Sequence, residues 1–562
     1  MAIIGIDLGT TNSLVSVFRN GKVELIPNQF GECLTPSVVG LSEENTIIVG
    51  KTAKERLVTH SNKTVASYKQ FMGSSKVFKL GKDKFQAEDL SSFVLKQLKE
   101  DAEKYLNEEV EEAIISVPAY FNDLQRVATR NAGILAGLKV DRILNEPSAA
   151  ALAYREKQNQ DGLFIVFDFG GGTLDISLVE IFGNIVDIIA VSGDNHLGGD
   201  DIDAALIEAF LLENKLSMDK ISIKNKAILK RKLEQAKIEL SEKDEIEVEV
   251  FLDDKAYGMK LDHQKETVIC AEILGKIRNA LEQVLRDGQR TIQEIDKIIC
   301  VGGSTKSKMV QEYLRYLTEI EPEDSIHPDE AIAYGIGVAT GIKNRDEEIK
   351  DMILTDICPF TLGVGVVNDI YSPIISRNTS LPTSRNREYV STKDRQKSIN
   401  FRIYQGEYME ASRNLLLDEV SIDVPPLPKG EARAKVTFSY DLNGLLDVDI
   451  ESLDTGTKIS KLVVLNKQLK QEEIDERAKV LSRIKIENSN DAQKEYLMAK
   501  AQSIYEEVPP YLKNDVLNRL QEFVVKYEGL NYSDRAKAIQ DFGAFLDSYQ
   551  AFDTGLKKEY YN

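Results

Sequence analysis

The chain has 562 residues, of which 42% are hydrophobic and 29% are charged, and its formal net charge is −20. These values are typical of a multidomain globular protein, and the acidic balance argues against nucleic-acid or anionic-membrane partners. Four scattered cysteines without CxxC spacing argue against disulfides and a zinc site. Because no apolar run is long enough to span a membrane and no basic leader precedes the first strand-like run, we expect a cytoplasmic protein.

From residue 1 to about 345, strand-like apolar runs alternate with amphipathic helical stretches, which predicts an α/β region. A glycine-rich turn with acidic flanks occurs twice in this region, and each copy lies between two apolar runs. The two copies are Asp7-Leu8-Gly9-Thr10-Thr11-Asn12 and Asp168-Phe169-Gly170-Gly171-Gly172-Thr173-Leu174-Asp175. The pattern predicts that both are tips of β-hairpins.

Two such tips suit the phosphates of a single nucleotide. Glycine allows backbone N–H groups to approach phosphate oxygens, and threonine hydroxyls add further donors. Nearby carboxylates suit Mg²⁺ held through its waters, and the candidates are Asp7, Glu146, Asp168 and Asp175. We therefore expect two similar lobes, related by an internal duplication, with the nucleotide in the cleft between them.

Two later features of the same region suit a purine and its ribose. Glu234, Lys237 and Ser241 share one face of a predicted helix. A strand-like run then ends at Gly302 and Gly303, where flat backbone can lie against an adenine ring. Each feature also has a plainer interpretation, as a solvated helix face and as an ordinary strand-to-helix turn.

The second half of the chain changes character. After a charged interval at residues 343–351, the apolar residues 352–355 either begin the next strand or dock reversibly on a neighbouring domain. Short β-branched and aromatic runs between residues 356 and 465, with a hairpin turn at Asn443-Gly444, predict a β-sandwich. Residues 466–562 are charged and periodic at helical spacing, which predicts a small helical bundle.

The segments at residues 5–13, 117–123, 145–151, 168–175, 196–199, 237–241 and 327–331 resemble motifs of the seventy-kilodalton heat-shock chaperone family, the DnaK-like proteins. Departures from the family pattern, among them a shorter stretch between Gly73 and Ala87, Thr355, Lys306 and a short helical end, together resemble the compact HscC-like branch. The resemblance implies an actin-like ATPase domain of two duplicated lobes (1–349), an interdomain linker (350–356), a β-sandwich peptide-binding domain (357–465) and a short α-helical lid (466–562). It also implies an ATP-dependent chaperone, in which ATP hydrolysis controls the capture and release of extended apolar segments of unfolded proteins.

The resemblance implies a role for each candidate of the nucleotide site. Asp7, Glu146 and Asp168 would hold Mg²⁺ through its waters, Lys69 would orient the attacking water, and Asp175 would position water or K⁺. ATP or ADP would be held by Gly9, Thr10, Thr11, Asn12, Gly170, Gly171, Gly172, Thr173, Gly198, Gly199, Glu234, Lys237, Ser241, Gly302, Gly303, Ser304 and Asp329, with Thr173 at the γ-phosphate.

The resemblance also implies a peptide groove and a relay between the domains. The groove residues would be Val364, Val366, Val367, Tyr389, Thr392, Ile399, Phe401 and Leu445, and the relay residues Pro118, Arg126, Arg142, Asn145, Ile353, Leu354 and Asp356. A J-domain cochaperone and a nucleotide exchange factor are the implied partners besides unfolded polypeptides. Thr355 stands where the family's linker carries an aliphatic residue, so we expect weaker linker docking.

Three alternatives stay open at this point. The same nucleotide fold serves sugar and acetate kinases, although a kinase would not explain the β-sandwich. A filament-forming ATPase belongs to a second class, which ATP-dependent sedimentation would detect. A third is a family member that binds nucleotide but clamps peptide poorly and acts as a regulator.

Overall fold

The computed structural model describes residues 2–323, 326–442, 444–462, 473, 476–479, 481, 486 and 491–552. Asn443 of the predicted hairpin turn lies outside these described residues. The same holds for the remainder of 463–490 and for 553–562, which belong almost entirely to the predicted lid.

Residues 2–158 form the first lobe, which we call lobe I. Its strands are β1 (Ala2–Leu8), β2 (Asn12–Arg19), β3 (Lys22–Ile26), β4 (Thr35–Pro36), β5 (Val39–Leu41), β6 (Ile47–Val49), β7 (Thr64–Val65), β8 (Phe78–Leu80), β9 (Asp83–Phe85), β10 (Val110–Val117) and β11 (Lys139–Asn145). Its helices are α1 (Lys51–Thr59), α2 (Ala87–Leu106), α3 (Asp123–Leu135) and α4 (Glu146–Gln158).

Residues 162–323 form the second lobe, lobe II. Its strands are β12 (Gly162–Phe169), β13 (Leu174–Phe182), β14 (Ile185–Asp194), β15 (Glu245–Leu252), β16 (Lys255–Asp262), β17 (Lys297–Val301) and β18 (Pro322–Glu323). Its helices are α5 (Gly199–Glu213), α6 (Ile223–Leu240), α7 (His263–Ile269), α8 (Ala271–Asp287) and α9 (Lys308–Thr318). Helix α10 (Ala331–Lys343) follows in the chain and packs on β1, β2 and β3 of lobe I.

The main sheets of the two lobes have the same strand order. Lobe I has the order β11-β10-β1-β2-β3, and lobe II has the order β18-β17-β12-β13-β14. In both sheets the first three strands run parallel and the last two pairings are antiparallel. The antiparallel pairs β1/β2 and β12/β13 confirm the two predicted hairpins, and each glycine-rich turn is the tip of one.

Helices α4 and α10 pack against each other between the two sheets. The crossing is close at Gly335, where a side-chain Cβ would collide with the backbone of Ala149. Alanines of α4 and aliphatic residues of both sheets share one buried core with α10. The two lobes are therefore joined through the packed helices α4 and α10. The hairpin tips are not part of this packing and can face a cleft.

The segment after α10 becomes a short strand, β19 (Ile353–Thr355), which pairs in parallel with β14 at the edge of the lobe II sheet. Two four-stranded sheets follow, with the orders β21-β20-β23-β24 and β22-β25-β26-β27. Their strands are β20 (Leu362–Val366), β21 (Ile370–Ile375), β22 (Thr383–Val390), β23 (Ser398–Gln405), β24 (Leu415–Asp423), β25 (Arg433–Tyr440), β26 (Leu446–Ser452) and β27 (Lys458–Leu462). Apolar residues of both sheets share one buried core, as in a β-sandwich.

Three C-terminal helices form a bundle: α11 (Ala492–Glu507), α12 (Pro510–Glu528) and α13 (Tyr532–Phe552). Val516, Phe523 and Tyr527 of α12 are buried in its seam, as their helical spacing predicts. The Phe523 ring stacks on that of Phe542 from α13, with 4.4 Å between the ring centroids. Helix α11 also packs along α1 of lobe I, so the bundle rests on the α/β region.

Candidate functional site

The two hairpin tips meet across a cleft between the lobes. A Cβ atom at Gly171 would collide with Thr11 Oγ1, so the absence of a side chain lets the tips approach. The cleft encloses a cavity of about 830 Å³. The predicted site residues that line it are Asp7, Gly9, Thr10, Thr11, Asn12, Lys69, Glu146, Asp168, Gly170, Gly171, Thr173, Gly199, Glu234, Lys237, Gly302, Gly303, Ser304 and Asp329.

Ionisable groups are concentrated at the floor of this cavity. Lys69, on a short 3₁₀ turn, is buried, and its Nζ lies 2.8 Å from Glu146 Oε1 at the start of α4. Asp7 at the end of β1 accepts a hydrogen bond of 2.8 Å from Ser116 Oγ. Burial and the charge of Glu146 raise the pKa of Asp7 to about 7, and the same two causes raise the pKa of Asp168 well above its ordinary value.

These raised pKa values mark a site with an excess of negative charge. Asp168 Oδ2 is buried and has no hydrogen-bond partner, although an ionised carboxylate oxygen normally has several. A hydrated divalent cation would supply both the missing positive charge and water donors for this oxygen. In the part of the chain that the structure describes, no three His, Cys, Asp or Glu side chains are grouped to bind a metal ion directly.

The wall of the cavity in lobe II depends on a close approach of backbone segments. Gly302 has a φ of 83°, and a Cβ there would lie 2.6 Å from the carbonyl oxygen of Phe169. Ser304 Oγ donates a hydrogen bond of 2.9 Å to Gly170 O, and Gly199 N donates one of 3.0 Å to the same oxygen. The turn after β17 and the start of α5 therefore hold the second hairpin tip in place.

Helix α6 contributes charged side chains to the same wall. Lys237 Nζ lies 2.7 Å from Asp203 Oδ1 and donates a hydrogen bond of 3.1 Å to Gly199 O. Glu234 lies across the cleft from Lys54 of α1, with 3.7 Å between Oε1 and Nζ. Ser241 does not line the cavity, because its hydroxyl instead donates to Lys237 O at 3.3 Å.

Three other predicted site residues stand behind the cavity wall. Gly172 and Gly198 support the second tip, since a Cβ at Gly198 would collide with the backbone of Gly171. Asp175 is buried, and its Oδ1 accepts a hydrogen bond of 3.0 Å from Tyr120 N. Burial and Glu146 raise the pKa of Asp175 to about 7. Asp175 therefore links the site to the segment that follows β10.

That segment leads from the cavity to the sandwich. Pro118 directly follows β10, and Arg126 of α3 holds the turn by donating to Ala119 O at 2.9 Å and to Phe121 O at 3.1 Å. The next contact crosses between domains. Tyr440 Oη of β25 donates to Asp123 Oδ1 at 2.9 Å, in a buried setting.

Two further hydrogen bonds of 3.2 Å join Asp123 to Gln405 of β23: the Asp123 backbone N–H donates to Gln405 Oε1, and Gln405 Nε2 donates to Asp123 Oδ1. Burial raises the pKa of Asp123 to about 6, while Tyr440 and Arg126 oppose the shift. No local sequence pattern indicates these partners, because Asp123 and Tyr440 are 317 positions apart.

The segment around β19 is anchored at both of its ends. Asp356 Oδ2 accepts hydrogen bonds of 2.9 Å from Asn145 Nδ2 and from Ser148 Oγ. Burial lowers the pKa of nearby Arg142, and the Asp356 carboxylate opposes that shift. Ile353 and Leu354 pair with β14, and the Thr355 hydroxyl donates to the Asp187 carboxylate. The polar residue at position 355 is therefore accommodated in the docked segment; its predicted effect on docking strength stays a prediction.

The predicted groove residues differ in their surroundings. Val364, Ile399 and Phe401 are buried in the sandwich core, and Val366 and Tyr389 pack against that core. Val367 and Thr392 are exposed. The structure does not bring Leu445 together with them. Tyr389 pairs with Ala434 at one end of β25, whereas Leu445 follows the other end, six residues or about 20 Å away. Ala434, which the sequence analysis missed, is the residue opposite Tyr389.

The sequence analysis also missed charged residues that line the cavity, among them Lys54 and Glu55 of α1, and Arg231 of α6. Arg231 NH1 lies 2.7 Å from Glu55 Oε2, so a second ion pair spans the cleft. Charged residues on the exposed faces of two helices are common, and no local pattern distinguishes those that meet across a cleft.

The site and its surroundings define a nucleotide-binding protein of two lobes to which a β-sandwich and a helical bundle are attached. A family model described as "Hsp70 protein" matches residues 3–78 and 75–541. The chain is 38% identical to "Chaperone protein DnaK" of Thermosipho africanus over 490 residues. This alignment covers 84% of the chain and 81% of that protein. DnaK of Thermotoga neapolitana is also 38% identical, over 84% of this chain and 82% of its own.

The chain belongs to the Hsp70 family. It is an ATP-dependent chaperone that hydrolyses ATP and binds unfolded peptides, and its family implies an actin-like ATPase domain, a β-sandwich and a helical lid. The sugar-kinase and filament alternatives are thereby set aside. Among the described residues, no helix is both long and apolar enough to cross a membrane.

Proposed function

We propose that ATP binds in the cleft with its phosphates between the two hairpin tips, and that Lys69 orients the water that attacks the γ-phosphate. The ion pair between Lys69 and Glu146 is the observation that carries this assignment, because it fixes a buried cation beside both tips. Thr173 would donate to the γ-phosphate, while Glu234 and Lys237 would contact the adenosine. Asp175 would act from behind the wall, through Tyr120.

We propose that Asp7, Glu146 and Asp168 hold Mg²⁺ through its waters. The bound ion would neutralise charge that develops on the phosphates. The buried carboxylates with raised pKa values and the unpartnered oxygen of Asp168 support this proposal. K⁺ near Asp175 is a further proposal, which the burial of that carboxylate supports.

We propose domain boundaries at residues 349, 356 and 465, with two lobes that arose by internal duplication. The identical strand order of the two main sheets supports the duplication. The nucleotide state would reach the sandwich by two routes: through β19 and Asp356, and through Tyr120, Arg126 and Asp123. Release of these contacts would allow the sandwich to clamp peptide.

We propose that the exposed pair Val367 and Thr392 closes over an extended apolar peptide, with Tyr389 and Phe401 beneath it. The two aromatic rings stand edge to face, 5.4 Å apart. A J-domain cochaperone and a nucleotide exchange factor are the proposed partners. The cytoplasm is the proposed location, which four cysteines without disulfide bonds support.

The test of the nucleotide site compares two buried carboxylates. Asp101 of α2 is also buried with a pKa raised to about 6, but it does not line the cavity. We expect Asp7→Asn to abolish the effect of Mg²⁺ on ATP affinity, measured by calorimetry with and without Mg²⁺, and Asp101→Asn to preserve it. Equal behaviour of the two variants would refute the assignment.

A further inference from the structure

The lid bundle contacts helices of both lobes that line the nucleotide cavity. Side chains of α1 in lobe I and of α6 in lobe II line this cavity. Helix α11 packs along α1, where the Tyr496 ring lies 5.6 Å from that of Phe30 and 4.6 Å from Lys51 Nζ. The same helix contacts α6, so one element bridges the two lobes.

The contact with α6 is centred on Arg231. Its NH1 donates a hydrogen bond of 2.7 Å to Ser503 Oγ of α11, and its Nε lies 3.4 Å from Glu507 Oε1. The same NH1 lies 2.7 Å from Glu55 on the opposite wall. Arg231 therefore joins lobe I, lobe II and the lid at a single guanidinium.

Charge and burial indicate that Arg231 has all of these partners only when the lid is docked. Ser503 and Glu507 are buried, and the side chains of Glu55 and Arg231 are 10% and 17% exposed. Burial alone would lower the pKa of Arg231, but Glu507 and Glu55 raise it above its ordinary value. Lys232 also approaches Glu507, at 3.9 Å, so two cations of α6 face one lid carboxylate.

We propose that α11 is a built-in brake on nucleotide exchange: by engaging Arg231 and α1 together, the docked lid holds the lobes closed over the bound nucleotide. A nucleotide can leave only when the lobes separate, and separation breaks the Arg231–Glu55 pair that the lid stabilises. The coupling is reciprocal, so a closed cleft also favours lid docking. The brake rests on the proposed position of the nucleotide between the lobes.

The test measures nucleotide release from the full-length chain. A fluorescent ATP analogue is bound and then chased with excess ATP in a stopped-flow instrument. We expect Glu507→Gln to accelerate release about tenfold, because a charge-assisted contact of this kind contributes about 1.5 kcal/mol. Ser503→Ala should accelerate release in the same direction. Glu522→Gln is the matched control, since Glu522 pairs with Arg519 and Lys526 of its own helix.

A double-mutant cycle identifies the route. In an Arg231→Met background, Glu507→Gln should have little further effect on the release rate. Unchanged release in both Glu507→Gln and Ser503→Ala would overturn the brake while leaving the nucleotide site intact. A wild-type chain that fails to retain the analogue at all would instead refute the nucleotide site, and the brake with it.

Discussion

Removal of one hydroxyl at the domain interface tests whether the sandwich is held on the ATPase lobes as the structure describes. Tyr440→Phe deletes the group that donates to Asp123 Oδ1 at 2.9 Å and leaves the ring in place. A hydrogen bond to a charged group contributes about 1.5–3 kcal/mol. Because about 1.4 kcal/mol corresponds to a factor of ten, the equilibrium constant for docking of the sandwich on the lobes should fall about 10- to 100-fold.

The assay is energy transfer between dyes on exposed positions of lobe II and the sandwich, with a non-hydrolysable ATP analogue bound. Tyr371→Phe is the control, because the Tyr371 hydroxyl donates within the sandwich, to Thr361 O at 2.8 Å. We expect the control to dock like the wild type. Docking that is unchanged in Tyr440→Phe, or equally reduced in both variants, would refute the reasoning.

Three further predictions concern Lys69, the pH and the linker. Lys69→Ala should reduce single-turnover hydrolysis at least about 100-fold while ATP still binds, as calorimetry would show. Burial holds the pKa of Asp123 near 6 in the docked state, against about 3.9 in water, so the docked state keeps a proton that the undocked state releases. Docking should therefore weaken by on the order of 2–3 kcal/mol as the pH rises from about 4 to 6, and Asp123→Asn should abolish this dependence in the same energy-transfer assay. Thr355→Val removes the hydrogen bond to Asp187; weaker docking would show that the polar residue stabilises the docked linker, and stronger docking would support the expectation drawn from the sequence.

Local features of the fold were predictable because neighbouring residues determine them. The two hairpin tips follow from glycine-rich turns between apolar runs, and the seam of α12 follows from helical spacing. Many of the nucleotide candidates line one cavity because they lie on these tips. Others, such as Lys69, Glu234 and Gly302, come from separate elements that the fold brings to the same cleft. Four candidates do not line it: the Ser241 hydroxyl bonds within its own helix, and Gly172, Gly198 and Asp175 lie behind the wall.

Contacts between distant segments were not predictable in the same way. The resemblance implied that Leu445 lines the groove with Tyr389. The two ends of β25 are about 20 Å apart, however, and only the pairing register shows that Tyr389 and Leu445 lie at opposite ends. The partners of Asp123 and Arg231 come from other domains. A single sequence shows that such residues are polar or charged, and the fold alone decides which of them meet.

Single-turnover ATP hydrolysis, measured with and without an unstructured apolar peptide, tests most directly the claim that this site drives a chaperone cycle. We expect peptide to accelerate hydrolysis in the wild type, and Lys69→Ala to lose both the basal and the stimulated rate. Hydrolysis that ignores the peptide would contradict coupling between the domains and favour the regulator alternative. Full hydrolysis in Lys69→Ala would contradict the assignment of the site.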